Sequence, residues 1–373
     1  MKFIVENEPF AKALARVKSC IPNRSTIPIL AHVVVEARAA DIVMRASNLD
    51  RETEVTLAAE VSEPGAVALP GEVLVALSRK LTKGGQTEVA TDGDRVKIAS
   101  GSSKYDLRTL PAADFPSAKE MGTQPVVFSM PAETLRTLIQ SVAYACDATD
   151  TRAMCQGVHL CVAGREMVAV GSDGLRLALR AVDMPKGSAT MPAICIPVAT
   201  AANIVEVIAD SKEDVELAVS RALIDVRMAG LRLASQLVNG DLIPYDKFIP
   251  KAPGYIGSFR AYVLREAIER ACVVFLSEKD TNRRIPVLEF AIGDGAINLK
   301  AGIKGAEQGT ETIEADTKAD KTIRLNATYL TEMLALWPET ATAELQQESA
   351  NAPVRFTSPE LPGVVHVVMP NVR

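Results

Sequence analysis

"VVFSMPAETLRTLIQSV" (126–142) joins two patterns in seventeen residues. A short extended run, Val126 to Met130, leads into a stretch where Leu135, Leu138, Ile139 and Val142 share one face at helical spacing. The same plan recurs along the chain. "KFIV" precedes a helix with Phe10, Leu14 and Val17, and "SFRAYV" precedes one with Leu264, Ile268 and Ala271. Three more helical stretches alternate with these, carrying Leu74, Leu77 and Leu81, then Ala201, Ile204, Val205 and Ile208, then Leu330, Met333, Leu334 and Trp337. The odd helices start near 8, 131 and 261 and the even ones near 71, 197 and 326, so both series advance by one domain length. Period-2 runs such as "IPILAHVVVEA", "QTEVATDGDRVKIAS" and "DVELAVSRALIDVRM" fill the intervals. The spacing predicts an α+β protein of three structurally similar domains, two helices each, over 1–122, 123–253 and 254–373. The boundaries fall in "KEMGTQP" (119–125) and "IPKAPGYIG" (249–257), which carry the Gly and Pro of linkers.

At 373 residues the chain is too long for one core. Hydrophobic residues make up 48% and aromatics only 4%, so Ala, Val, Ile and Leu must fill the interior. The net charge of −5 supplies no general attraction to nucleic acid or anionic membrane, though it leaves room for a local basic face. Six scattered cysteines form no CxxC pair, which predicts reduced thiols and no metal site. Glu6 and Glu8 interrupt the N-terminus before a signal-peptide core develops, and no apolar run approaches the ~20 residues of a membrane span. These features predict a cytoplasmic protein.

"AVGSDGLRLALRAV" (169–182) reads as two alternating strands about Asp173-Gly174, with the dipeptide of a two-residue type I′ turn. A catalytic role for Asp173 needs a neighbouring base. The three histidines, His32, His159 and His366, each sit inside an apolar strand pattern. No P-loop, GxGxxG opening a helix, HExxH or GxSxG is present. The residues predict a hairpin, no catalytic residues and no cofactor. Two rival classes remain open at this point: a hydrolase with a cleft between domains, and a repeat-built peptide scaffold that never encircles DNA.

"MKFIVENEPFAKAL" (1–14), "RSTIPIL" (24–30), "TLPAADFP" (109–116), "SDGLRL" (172–177), "SQLVNGDLIPYDKFIP" (235–250) and "VVMP" (367–370) occur in order along nearly the whole chain. This set resembles the bacterial sliding clamp family, the beta subunit of DNA polymerase III. The resemblance implies three similar domains per chain and a head-to-tail dimeric ring, with helices lining the hole and sheets outside. It implies a non-catalytic processivity factor of DNA replication that binds duplex DNA without sequence preference. Its partners would be a second copy, the replicative polymerase, an ATP-driven clamp loader and other replication and repair proteins.

Carried onto this sequence, the family's groove for Gln-Leu-x-Leu-Phe-like peptides takes Cys155, Ser172, Gly174, Leu175, Arg176, Leu177, Pro244, Phe248, Asn326, Tyr329, Val367, Val368, Met369 and Pro370. Leu175 stands where many relatives have His, Cys155 replaces a larger apolar residue, and the ending "MPNVR" departs from the commoner tail. The peptide preference is therefore open. Ring closure would bring Lys104, Tyr105 and Leu107 against Phe275, Leu276, Glu307 and Glu311. DNA-facing candidates are Lys12, Arg16, Arg24, Arg79, Lys80, Arg136, Arg152 and Arg265. Sparse phosphate contacts suit sliding, since non-specific affinities of about 10⁻⁴–10⁻⁶ M let a protein move along the duplex.

Overall fold

All six helices start where the apolar spacing places them, each on the residue that follows a strand, but three stop short of the expected Leu81, Ile208 and Trp337. The computed structural model describes residues 1–371 apart from 23, 118–119, 123, 210, 252, 278–285 and 303–306, and the side chains at 276 and 277. The helices are α1 (Asn7–Lys18), α2 (Gly71–Ser78), α3 (Ala132–Ala143), α4 (Val198–Val207), α5 (Ala261–Ala271) and α6 (Ala327–Leu334). Strands Lys2–Glu6, Gly65–Pro70, Val126–Pro131, Ile194–Pro197, Gly254–Arg260 and Lys321–Asn326 run straight into them. Asn326 makes one such junction favourable, its side chain accepting the Thr328 N–H at 2.9 Å as an N-cap. A three-stranded antiparallel meander follows every helix. The unit of strand, helix and meander thus occurs six times, two per repeat.

Chain contacts divide the described residues into two compact units. The first holds Met1–Leu135, Pro185–Pro192 and Asn203–Leu237, and the second holds Arg136–Met184, Ala193–Ala202 and Val238–Arg373. The first unit contains a nine-stranded sheet that continues from the first repeat into the second. Its joining ladder pairs Arg51–Ala58 with Leu231–Gln236, Val55 opposite Leu231 and Arg51 opposite Ser235. Its other sheet, of five strands, ends on Ser103–Arg108. In the second unit a nine-stranded sheet joins the second repeat to the third, Arg176–Asp183 pairing with Val364–Val368. A four-stranded sheet there ends on Gln308–Glu314. The second repeat therefore shares its meanders between the units.

In the first unit α1 packs beside α2, burying Phe10, Leu14 and Val17 on one and Leu74 and Val75 on the other. In the second, Leu264 and Ile268 of α5 join Leu330 and Met333 of α6 over Phe290 and Phe356. Each such side chain contributes about 1.5–3 kcal/mol by leaving water. One polar chain crosses this core. Trp337 Nε1–H can only donate, and meets His366 Nε2 at 3.1 Å, so His366 carries its proton on Nδ1 and donates to Tyr144 Oη at 2.7 Å. Burial, and then the charge of Arg180, pull the His366 pKa down to about 3. The imidazole is held neutral.

Candidate functional site

The connection around Asp173 is wider than a two-residue type I′ turn. Ser172 pairs with Leu177, which leaves four residues between the paired positions, and of these only Gly174 has positive φ, +86°. The cause is the Asp173 carboxylate. Its Oδ1 accepts the Leu175 and Arg176 N–H groups, both at 2.9 Å, and its Oδ2 accepts Arg176 Nε at 3.0 Å. Ser172 Oγ donates to Arg176 O at 2.6 Å and accepts the Gly174 N–H at 3.0 Å. With both oxygens spent on the loop, Asp173 is no general base. No histidine stands ready to assist: His366 is in the core, His159 bonds the Met154 carbonyl, and His32 bonds that of Pro28. The hydrolase reading loses its centre.

What the loop does is hold Arg176. The guanidinium lies between two rings, 4.4 Å from the Tyr329 centroid and 5.1 Å from that of Tyr144. It donates to the Tyr144 carbonyl at 2.6 Å and forms an ion pair with Glu332. Burial works against its charge, but Glu332 and Asp173 outweigh that and raise its pKa. On the other flank, Arg152 Nη2 donates to Asp173 O at 2.8 Å, and the same Nη2 together with Nε donates to the Asp150 carboxylate. Gly174 is required here. A Cβ at this position would lie 2.5 Å from Arg152 Nη1, on a backbone that side chains disfavour. Gly174→Ala is expected to destabilise the second unit by about 1–2 kcal/mol, measured as a shifted thermal midpoint.

Beside this loop runs a groove with a cavity of ≈ 300 Å³. Nine of the predicted residues line it: Cys155, Ser172, Gly174, Leu175, Arg176, Leu177, Phe248, Val367 and Met369. Leu177, Val367 and Ile243 are buried in one apolar cluster as its floor. Leu175, Phe248 and Met369 stand 52%, 53% and 41% exposed, an apolar rim with nothing over it. Cys155 is buried, which raises its thiol pKa, so it adds a small apolar surface to the groove wall. Tyr329 and Asn326 stand behind the wall, one against Arg176 and the other capping α6, and Val368 points into the core. Pro244 leads into the turn Tyr245–Lys247 that presents Phe248, and Pro370 follows Met369. Arg152, expected to face DNA, lines this groove, as do Met154, Ile243, Lys247 and Pro353. Among these, Ile243 was signalled by its place in the apolar run before "PYDKF".

The other predicted residues lie apart. Lys104 and Tyr105 are exposed and Leu107 half-buried on Ser103–Arg108, the edge strand of the first unit. Glu311 is on Gln308–Glu314, the edge strand of the second, where Arg270 holds it at 2.9 Å, and Glu307 is exposed just before. Phe275 packs half-buried on the nearby core, and the side chain of Leu276 lies outside the described residues. Lys12 and Arg16 are on α1, Arg79 and Lys80 just past α2, Arg136 on α3, and Arg265 on α5 beside Glu269 at 3.8 Å. Arg24 is in an exposed loop. Among the described residues, no cluster of His, Cys, Asp or Glu is arranged to hold a metal ion, and no helix is long and apolar enough to cross a membrane.

Comparison with known proteins agrees over the whole length. Residues 1–119 match the N-terminal domain of the DNA polymerase III beta subunit and residues 129–244 its central domain. The beta sliding clamp of Caulobacter vibrioides is 29% identical over 99% of both chains, and that of Escherichia coli K12 is 25% identical over 90% of both. The crystal structure of a DNA polymerase sliding clamp from Caulobacter crescentus covers 100% of both chains with a TM-score of 0.90 at 27% identity. On these matches the chain belongs to the DNA polymerase III beta subunit family, the sliding clamps, non-catalytic proteins that hold a polymerase on DNA.

Proposed function

We infer that two copies of this chain close head to tail around duplex DNA and tether polymerase and other partners through the groove. The observation that carries the ring is a pair of sheet edges, without a strand partner among the described residues, of opposite net charge. Ser103–Arg108 offers Lys104 and Arg108, while Gln308–Glu314 and the residue before it offer Glu307, Glu311 and Glu314. An unpaired edge is a template for another strand. Pairing the edge of one copy with that of a second would cover Tyr105 and Leu107 with Phe275. Exposed ion pairs are worth under ~1 kcal/mol each, so apolar contact and backbone hydrogen bonds dominate such a closure. The three repeats then correspond to clamp domains 1–122, 123–253 and 254–373.

The apolar rim supports docking of short extended peptides whose aliphatic and aromatic side chains enter beside Leu177 and Val367. Polymerase, clamp loader and repair proteins are the partners this reading assigns, in the cytoplasm. Lys12, Arg16, Arg24, Arg79, Lys80, Arg136 and Arg265 are assigned to DNA phosphates, and Arg152 to the peptide. The test is topological. Protein loaded by a clamp loader onto nicked circular DNA should stay bound through gel filtration and fall off once the circle is cut. Retention indifferent to cutting would mean adhesion rather than encirclement.

A further inference from the structure

The loop that braces the groove has a counterpart in the first repeat. Asn48-Leu49-Asp50 connects Asp41–Ser47 to Arg51–Ala58 just as Asp173-Gly174-Leu175 connects Glu166–Ser172 to Arg176–Asp183. Ser47 Oγ donates to Arg51 O and accepts the Leu49 N–H, both at 3.2 Å, repeating the bonds of Ser172. Asn48 Oδ1 accepts the Asp50 and Arg51 N–H groups, as Asp173 Oδ1 accepts those of Leu175 and Arg176. Leu49 keeps a left-handed backbone, φ +76°, where the second repeat uses Gly174. Arg51 Nη2 donates at 2.8 Å to the carbonyl of Ser19, the residue after α1, and Arg176 Nη2 donates to Tyr144, the residue after α3.

The two arginines part at the carboxylate. Arg176 meets Glu332, the sixth residue of α6. The sixth residue of α4 is Asn203, whose amide is turned to Ser19 Oγ and the Cys20 thiol. No Asp or Glu among the described residues forms an ion pair with Arg51, and its buried Nε has no hydrogen-bond partner. Arg51 lines a polar cavity of ≈ 360 Å³ together with Lys18, Ser19, Ile21, Pro22 and Asn48, with Glu206 as the one acidic residue of the lining. An arginine anchored by a carbonyl, without an ion-pair partner among the described residues and lining the same polar cavity as a lysine, suits an oxyanion. We propose that this cavity binds a phosphate group, which takes on Arg51 the place that the Glu332 carboxylate takes on Arg176.

Inorganic phosphate is the first probe, titrated calorimetrically into the full-length chain without DNA, at ionic strength held constant with chloride. Binding should saturate, and Arg51→Gln should weaken it at least tenfold. Asn203→Glu, which gives α4 the carboxylate that α6 carries, should weaken it as much. Lys18 is exposed, so Lys18→Met keeps the fold and should weaken binding about threefold. No saturable binding by the parent chain, or undiminished binding by Lys18→Met or a folded Asn203→Glu, overturns the proposal. The source of the phosphate is read with duplex DNA. If it is a backbone phosphate, Arg51→Gln lowers the salt slope of DNA binding by about 0.9, whereas an unchanged slope assigns a free anion. Since the first readout contains no DNA, its failure leaves the ring untouched, and a failed ring leaves the anion site standing.

Discussion

At pH 4.5, the chain carrying His366→Gln should resist urea better than the parent by about 2.5 kcal/mol more than it does at pH 7.5. The folded pKa of His366 lies at about 3, far below the ~6.5 of an unfolded histidine. Above pH 6.5 neither state holds the proton, and the group contributes nothing. Between 6.5 and 3 the unfolded chain takes a proton that the folded chain refuses, so stability falls as pH falls, by about 1.4 kcal/mol per unit. Protonated His366 would turn an N–H toward the Trp337 N–H. A glutamine offers an oxygen to Trp337 and an N–H to Tyr144 Oη, and does not titrate in this range. Trp337 is the only tryptophan of the sequence, so its fluorescence follows this core alone. Parallel stability curves for the two proteins across pH 7.5–4.5 would show that the buried imidazole is not the acid-sensitive element.

Arg176→Met should destabilise the second unit by about 2–4 kcal/mol and weaken binding of a groove peptide more than tenfold. Truncating one partner of a buried pair typically costs ~3–5 kcal/mol. The range is set lower because Glu332 is 44% exposed and water can take over its charge, whereas Asp173 is only 13% exposed. The Tyr144 carbonyl and two ring faces also lose their cation. Adding Glu332→Gln to Arg176→Met should cost little more, because the carboxylate has already lost its partner. Strictly additive effects of the two substitutions would mean that they stabilise the groove separately.

The helices were legible because 3.6-residue spacing survives any tertiary arrangement. The expected starts near 71, 131 and 261 differ from the observed Gly71, Ala132 and Ala261 by a residue at most. The sixfold unit was harder to see, since short meanders vary in length and only the helices keep register. Asp173-Gly174 misled for a local reason. The dipeptide favours a tight turn, but a carboxylate that can reach two backbone N–H groups and an arginine stabilises a wider one. Arg152 could not be placed from its loop, because the direction of a long side chain is set by Asp150 and the Asp173 carbonyl, the latter twenty-one residues on. Groove walls drawn from separated segments leave no periodic trace, which is why Met154, Lys247 and Pro353 went unseen.

The ladder between Arg51–Ala58 and Leu231–Gln236 has a mechanical meaning. Successive repeats are often hinged by a loop, which yields first under tension. Here the seam is a row of backbone hydrogen bonds of the same kind as those within each meander, and a stretching load would be spread over the whole row at once. Bending at that seam would require several rungs to break together, so the chain carries its stiffness through the place where a beaded protein is weakest.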